Sequence, residues 1–469
     1  MSSESCPIIS GYENKAKAPL QQKLDRFEFQ TEAAALIIVA FSLLVLFSSV
    51  TGALKLPQEL AVLSPELKSE LKTQDQGLAS GNWHSLLLKY RRLLRDGSAP
   101  ARVHFLLGRL YSKIGLYLSA SNELAQCLEL TPRNVNALLC AAQAQIALGD
   151  FEAARIKLDK AIALSPSRVE ILVARSDLAL AKGFPERALR IISKVAMRER
   201  NSRIQLKKAL CYYKLGQLAK AHRKLAEVLI RQPRSSAARE MLALIYTRQG
   251  RFEEAYEEYS KVNHRGPLGM RCKRAQKILE RVLRGSLDPG SAVAYFQSLS
   301  LARKQEQQRY ELLDEAARRE DFPEALLELA ILDLPKRRER ARSLLEKAVD
   351  MPYPCARAHF RLGLILHDMG EDSAALAHME KAVKMEPSQP EMRLRLAVLL
   401  SNFGEYDRAL QHLRRAINLS PTDPRPYAKA GAILLERKQR SMARNYLREA
   451  MLLNPFDYDS RKLLEELES

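Results

Sequence analysis

Residues 101–134 read ARVHFLLGRLYSKIGLYLSASNELAQCLELTPRN. Numbered from 1 to 34, this stretch places Leu107-Gly108, Tyr111, Gly115, Ala120, Leu124 and Pro132 at positions 7, 8, 11, 15, 20, 24 and 32. The stretch from Ala356 repeats the pattern with Leu362-Gly363, Leu366, Gly370, Ala375, Met379, Ala382 and Pro387. From Pro390 it returns as Leu396-Ala397, Leu400, Gly404, Ala409, Leu413, Ala416 and Pro421. Apolar residues recur at helical spacing on either side of the glycine at position 15, so each stretch predicts two helices joined by a tight turn. A small residue at position 8 lets the helices approach closely, and larger residues at 7, 11 and 24 fill the space beside that contact.

Prolines mark the same period across the chain. They fall 34 residues apart at Pro132 and Pro166, at Pro233 and Pro267, and at Pro387, Pro421 and Pro455. A proline there ends one helix pair and opens the next, because it cannot continue the hydrogen-bond ladder but fits a helix's first turn. Units start at 101, 135, 169, 202, 236, 356, 390 and 424, and a degenerate one precedes them near Leu67, with Gly81-Asn82-Trp83 as its turn. At these positions the sequence resembles the tetratricopeptide-repeat family, whose pattern has a small residue at 8, an aromatic or apolar one at 11, and Ala at 20 and 27. The resemblance implies an all-α solenoid of helix-turn-helix units wound as a right-handed superhelix, with first helices lining the concave side. Repeats of this kind stack on their neighbours and need no single central core.

The expected organisation is an N-terminal array over 67–267, an irregular helical joint over 268–355 holding one degenerate pair from Phe322 to Cys355, a C-terminal array over 356–455, and a capping helix over 456–469. Before the repeats, Ala33 to Leu54 (AAALIIVAFSLLVLFSSVTGAL) carries no charge. As a helix it measures about 33 Å, enough for a bilayer core of about 30 Å. It predicts one transmembrane helix between a tail at 1–32 and a linker at 55–66. A cleaved signal is the competing reading, disfavoured by the length and mixed charge of the tail. Lys15, Lys17, Lys23 and Arg26 precede the span, against Lys55, Lys68 and Lys72 after it, which favours a cytoplasmic N-terminus with the repeats on the opposite side, periplasmic in a bacterium. Six scattered cysteines, with no C-x-x-C pairing, point the other way, since oxidising compartments pair or exclude free thiols.

The formal charge of +20 is concentrated: residues 185–284 hold 25 Lys and Arg against 9 Asp and Glu. Such a block attracts acidic partners. Its lysines, Lys207, Lys214 and Lys277 among them, recur at helical spacing and read as a solvated face, ahead of membrane-surface contact and then nucleic acid. No aromatic interleaving suits base stacking, so nucleic acid is an unlikely ligand.

Binding residues implied by the resemblance lie at positions 2, 5, 6, 9, 12 and 13. In the C-terminal array position 6 holds Arg361, Arg395 and Lys429, flanked by Arg357 and Arg425 at position 2 and Phe360 at position 5. This predicts a groove for acidic peptide segments held by guanidinium–carboxylate pairing. Family members that clamp a peptide's C-terminal carboxylate use Lys and Asn where this chain has Phe360, Leu364 and Arg395, so only Arg425 and Lys429 match that set. The N-terminal array offers Arg102, Phe105, Arg109, Asn136 and Gln143. No catalytic motif, cofactor loop or metal cluster is legible. The sequence therefore predicts a membrane-anchored scaffold or adaptor that assembles partner proteins, in machinery of the envelope, pilus or exopolysaccharide type if bacterial. The alternatives are a cytosol-facing receptor for chaperones or imported proteins and, less favoured, nucleic-acid binding through the basic block. Partner identity and oligomeric state are not written in the sequence.

Overall fold

The computed structural model describes residues 65–97, 100–196, 201–262, 266–301, 305–319 and 322–468. The expected span at 33–54 and the tail before it lie outside the described residues. Among the described residues, no helix is long and apolar enough to cross a membrane.

The described residues form helices packed as consecutive pairs. The degenerate first pair is α1 (Pro65–Ala79) and α2 (Trp83–Arg95). It is followed by α3 (Pro100–Lys113) with α4 (Tyr117–Leu130), α5 (Val135–Leu148) with α6 (Phe151–Leu164), and α7 (Val169–Ala181) with α8 (Pro185–Ala196). Next come α9 (Ser202–Lys214) with α10 (Leu218–Arg231) and α11 (Ser236–Arg248) with α12 (Phe252–Ser260). A long additional helix, α13 (Gly266–Leu283), packs on α12, and two further pairs follow: α14 (Pro289–Ser300) with α15 (Glu306–Arg319), and α16 (Pro323–Asp333) with α17 (Arg338–Asp350). The last pairs are α18 (Ala356–Asp368) with α19 (Asp372–Met385), α20 (Pro390–Asn402) with α21 (Tyr406–Leu419), and α22 (Pro424–Glu436) with α23 (Arg440–Leu453), ending in α24 (Tyr458–Glu468).

The small residue at position 8 sets how closely each pair packs. A Cβ on Gly108 would sit 2.5 Å from the Leu124 side chain, one on Gly363 2.8 Å from Met379, and one on Gly431 2.7 Å from Leu447. The partner at position 24 thus lies directly on the bare backbone, as close packing of two helices demands. In most pairs the chain turns through a left-handed residue, such as Gly115 at φ 88°; between α16 and α17 the described turn has none. After Gly115 the next amide bonds back to the helix, Leu116 N–H to Tyr111 O at 2.9 Å.

The last pair breaks this rule. Lys438 occupies the same left-handed position with φ 59°, closed by the same bonds, Lys438 N–H to Leu435 O and Gln439 N–H to Leu434 O, both 2.8 Å. A side chain there costs ~1–2 kcal/mol. Glycine recovers that but loses part of it to the freer unfolded chain. Lys438→Gly is expected to stabilise the protein by about 0.5–1 kcal/mol, read as a raised urea midpoint at unchanged slope. No gain would mean that Lys438 contacts offset the backbone strain.

The apolar interior runs along the array in stretches. One spans Leu71 to Leu178, a shorter one Leu206 to Ile245, and a third Ala243 to Leu467. Among the described residues, small apolar groups bridge the first two, around Val173, Ile192 and Ile204 and around Ala179, Ala188 and Cys211. Cys127, Cys211 and Cys272 are buried free thiols, and desolvation pushes the Cys211 thiol up to about 12, so it serves as a small apolar residue.

The array bends round until its last pair meets its first. Tyr111 Oη donates to the Leu452 carbonyl at 2.8 Å, Ser119 Oγ donates to the Leu453 carbonyl at 3.1 Å, and His84 Nε2 lies 2.9 Å from Glu449. Leu453 belongs to the apolar cluster of the first units, with Tyr427 and Leu452 packed against it.

Candidate functional site

On the first helices, charged residues are bonded chiefly to the neighbouring unit. Arg109 on α3 grips Asp75 on α1 through both carboxylate oxygens at 2.7 and 2.9 Å, and also reaches Gln74. Lys207 on α9 bonds Asp177 on α7. Arg271 on α13 holds Glu240 on α11 at 2.5 and 2.9 Å. Arg357 on α18 meets Glu328 on α16 at 3.3 Å, where Glu328 also takes Arg309 at 2.9 Å. Arg425 on α22 reaches Glu391 on α20 at 2.7 Å. These pairs tie unit to unit across the face that the sequence reading assigned to ligand.

The residues expected to bind ligand therefore divide. Arg102 pairs with Glu70 at 3.2 Å, and Asn136 accepts from Arg168 at 2.6 Å. Phe105 and Phe360 are buried and contribute to the core instead of a groove wall. Arg109, Arg357 and Arg425 are committed to the pairs above, Arg425 also to Asp423 at 2.8 Å. Arg395 donates to Glu391 at 3.0 Å. Burial alone would raise the Glu391 carboxyl, but Arg425 and Arg395 outweigh it and hold it below the usual carboxylate range. Gln143 and Lys429 are exposed, and Arg361 is partly exposed. Arg361, Arg395 and Lys429 keep one register on α18, α20 and α22, and all three reach the surface.

The basic block is corrected at Lys207; Lys214, Lys273, Lys277 and Arg284 are exposed. Lys207 is 2% exposed, not solvated. Lys214 reaches the Ser300 carbonyl, Arg281 pairs with Glu324 at 3.3 Å, and Arg284 with Glu280 at 2.5 Å.

A second set of polar contacts, missed from sequence, links the two helices of one unit at a separation of 19 residues. His104 meets Glu123 at 2.7 Å, Arg239 meets Glu258 at 2.7 Å, His359 meets His378 at 3.0 Å and Arg393 meets His412 at 3.5 Å. Position 4 paired with position 23 was a readable signal, hidden because the residue types change from unit to unit.

The His359–His378 contact joins two Nδ1 atoms, so one ring donates and the other accepts. His359 Nε2 is buried without a partner. An unpaired acceptor costs less than an unpaired N–H, so His359 carries its proton on Nδ1 and donates to His378. Burial, Lys381 and His378 push His359 down to about 4, with Asp350 opposing. Its folded pKa thus lies below the unfolded value near 6.5, and the unfolded chain takes the proton first. The stability this neutral pair contributes is full above pH 6.5 and is lost as pH falls toward 4, by about 2 kcal/mol at pH 5. The drop in urea midpoint from pH 7 to 5 should shrink in His359→Gln; an equal drop would place the acid sensitivity elsewhere.

Models described as tetratricopeptide repeat match residues 105–169, 206–268 and 336–383, and a further one of the same description matches 366–433. No curated protein matches the chain. The crystal structure of the APC/C hetero-tetramer Cut9-Hcn1 is similar at 14% identity, covering 90% of this chain and 99% of that one, with a TM-score of 0.36. TTC0263, a thermophilic TPR protein in Thermus thermophilus, is similar at 23% identity over 38% of this chain and 98% of that one, with a TM-score of 0.35. MamA follows at 17% identity over 39% and 94%, with a TM-score of 0.30.

Proposed function

The chain belongs to the tetratricopeptide-repeat family as a protein–protein interaction scaffold, and we propose that it is a membrane-anchored one, held by residues 33–54 and gathering partner proteins through acidic segments. The observation carrying this reading is the row Arg361, Arg395 and Lys429. Three consecutive first helices carry a cation at one register, with Lys429 exposed and Arg361 and Arg395 partly exposed, Arg395 also donating to Glu391. A row of cations one repeat apart suits an extended peptide carrying spaced carboxylates, each met by a charge-assisted hydrogen bond.

In this reading the arrays at 67–267 and 356–455 act as two surfaces around the joint at 268–355. The uncharged span and the charges flanking it support a single-pass anchor with a cytoplasmic N-terminus and the repeats across the membrane. Affinity capture of the full chain in mild detergent is the test. Defined partners should be recovered by the wild type and lost by Arg361→Glu and Lys429→Glu, with a smaller loss in Arg395→Glu because Glu391 already offsets that charge. Unchanged recovery in all three variants would remove the basic row from the function.

A further inference from the structure

The second-helix side of the array carries cations in two different settings. In the C-terminal part they are laced with acids: Arg342 lies between Glu346 and Glu371, and Arg408 between Glu380 and Glu405. Residues 185–234 hold 14 Lys and Arg against 3 acidic residues, so the lacing is sparse there, with Lys224 paired to Glu227 at 2.6 Å. On the outer faces of α8 and α10, Arg187, Arg190, Lys194, Lys220 and Arg223 are exposed. Ile230, on the last turn of α10, is 81% exposed.

Where α7 turns into α8 beside α6, Arg155, Arg175, Lys182 and Arg187 line a cleft of about 170 Å³ with Phe184 at its rim. Asp159, the acidic residue of that lining, is held by Arg155 at 3.3 Å, and Glu152 beside it takes Arg155 at 2.9 Å and Lys182. Those carboxylates leave Arg175 and Arg187 unanswered. Two guanidinium forks facing one small cleft match the oxygens of a phosphate group. Phe184 lines the cleft with the cations, and Ile230 is exposed on the same helix as Lys220 and Arg223, an arrangement that suits the interfacial layer of a bilayer and not stacked bases.

We propose that this cleft and the outer faces of α8 and α10 form a docking surface for anionic phospholipid headgroups, which lays this flank of the array on the membrane. Its proximity to a bilayer rests on the anchor reading: residues 55–64 can span no more than ~35 Å, so the span would hold α1 close to the lipid surface. Tethering of that kind raises the effective concentration of a weak charged contact. Where the leaflet facing the array carries anionic lipid, on whichever side of the membrane that is, the cations gain from its negative surface potential, which fades within a Debye length and weakens with salt.

The chain has one tryptophan, Trp83, so a reporter can be placed on the surface itself. The full chain carrying Trp83→Phe and Ile230→Trp is reconstituted into nanodiscs of brominated phosphatidylcholine, alone or with one part phosphatidylglycerol to two. The reporter should be quenched in the mixed membrane at low salt and not in the neutral one. Adding Arg175→Glu and Arg187→Glu should abolish the quenching, since loss of two cations near such a surface corresponds to roughly 30-fold weaker association. Arg190→Glu with Arg223→Glu gives the same readout away from the cleft should the first pair disturb folding.

Equal fluorescence in the two membranes, or quenching that survives both variant pairs, overturns the proposal. Binding of a random RNA that both variant pairs abolish, with no quenching by lipid, overturns it in favour of nucleic acid. Failure of the anchor is seen separately, as release of the chain from neutral nanodiscs. In that case flotation of the free chain with the mixed vesicles, lost in the variants, still decides for or against the surface.

Discussion

Lys207→Met is expected to destabilise the protein by about 3–5 kcal/mol, because it removes one partner of a buried ion pair and leaves the other charged. Asp177 is 4% exposed and its cation arrives from the next unit, α9 onto α7. Desolvation pulls the Lys207 ammonium down to about 8 against the pull of Asp177, so Lys207 is still mostly charged at neutral pH. Its location magnifies the effect. Among the described residues the apolar interior is thin between α7 and α9, where small clusters bridge the stretches on either side. In a solenoid, stability is a chain of nearest-neighbour contacts, so a weakened seam lets the two sides unfold separately. Urea denaturation followed by circular dichroism should show an earlier and broader transition. Hydrogen exchange should rise first in α7 to α10. The double substitution Lys207→Met/Asp177→Leu should recover most of the loss, since no charge is then stranded. A single variant as stable as the wild type would mean that water reaches Asp177 in the folded state.

The features readable in advance are those decided inside one unit. Gly108 under Leu124, Gly115 at the turn and the prolines at 34-residue intervals all answer to packing between two adjacent helices, so each leaves a periodic mark. The ligand-facing register was a weaker inference. Position along a first helix says that a side chain points to one face, but not whether the next unit brings a carboxylate within reach. Glu391 stands one period before Arg425, and that spacing is visible in the sequence; whether the two touch depends on the angle between units, which no local pattern encodes. The same limit explains Lys207, which helical spacing placed on a charged face and which the neighbouring α7 buries. In the joint, α14 and α15 pair without a glycine between them, and α15 is dense in charged and amide residues (EQQRYELLDEAARR), so the period gave no sign of a complete pair. Contact between the first and last pairs is further still from local coding, because it accumulates the small rotations of every unit between them.

That contact can be broken at one residue. Leu453→Asp is expected to open the array, with a measurably larger radius of gyration in small-angle scattering and little loss of helix. The residues at the same place in other second helices show what Leu453 would be without its partner: Leu130 is 54% exposed, Met385 40% and Leu419 44%, whereas Leu453 is 1% exposed. The difference is made by the first units, whose Ser119 hydroxyl reaches the Leu453 carbonyl and whose Tyr111 hydroxyl reaches that of Leu452. Burying the leucine contributes roughly 1.5–3 kcal/mol. The two hydrogen bonds add about 1 kcal/mol each, so closure is worth enough to keep the open form rare. A carboxylate at 453 forfeits the apolar term and must be desolvated without a cation, which reverses the balance. The pairing of α22 with α23 survives, because it rests on Ala443, Leu447 and Ala450. Exchange in α2 and α4 should rise while the midpoint for the C-terminal units stays near its wild-type value. An unchanged radius in a well-folded variant would show that the curvature of the stacked units alone, with no help from the seam, brings the two ends together.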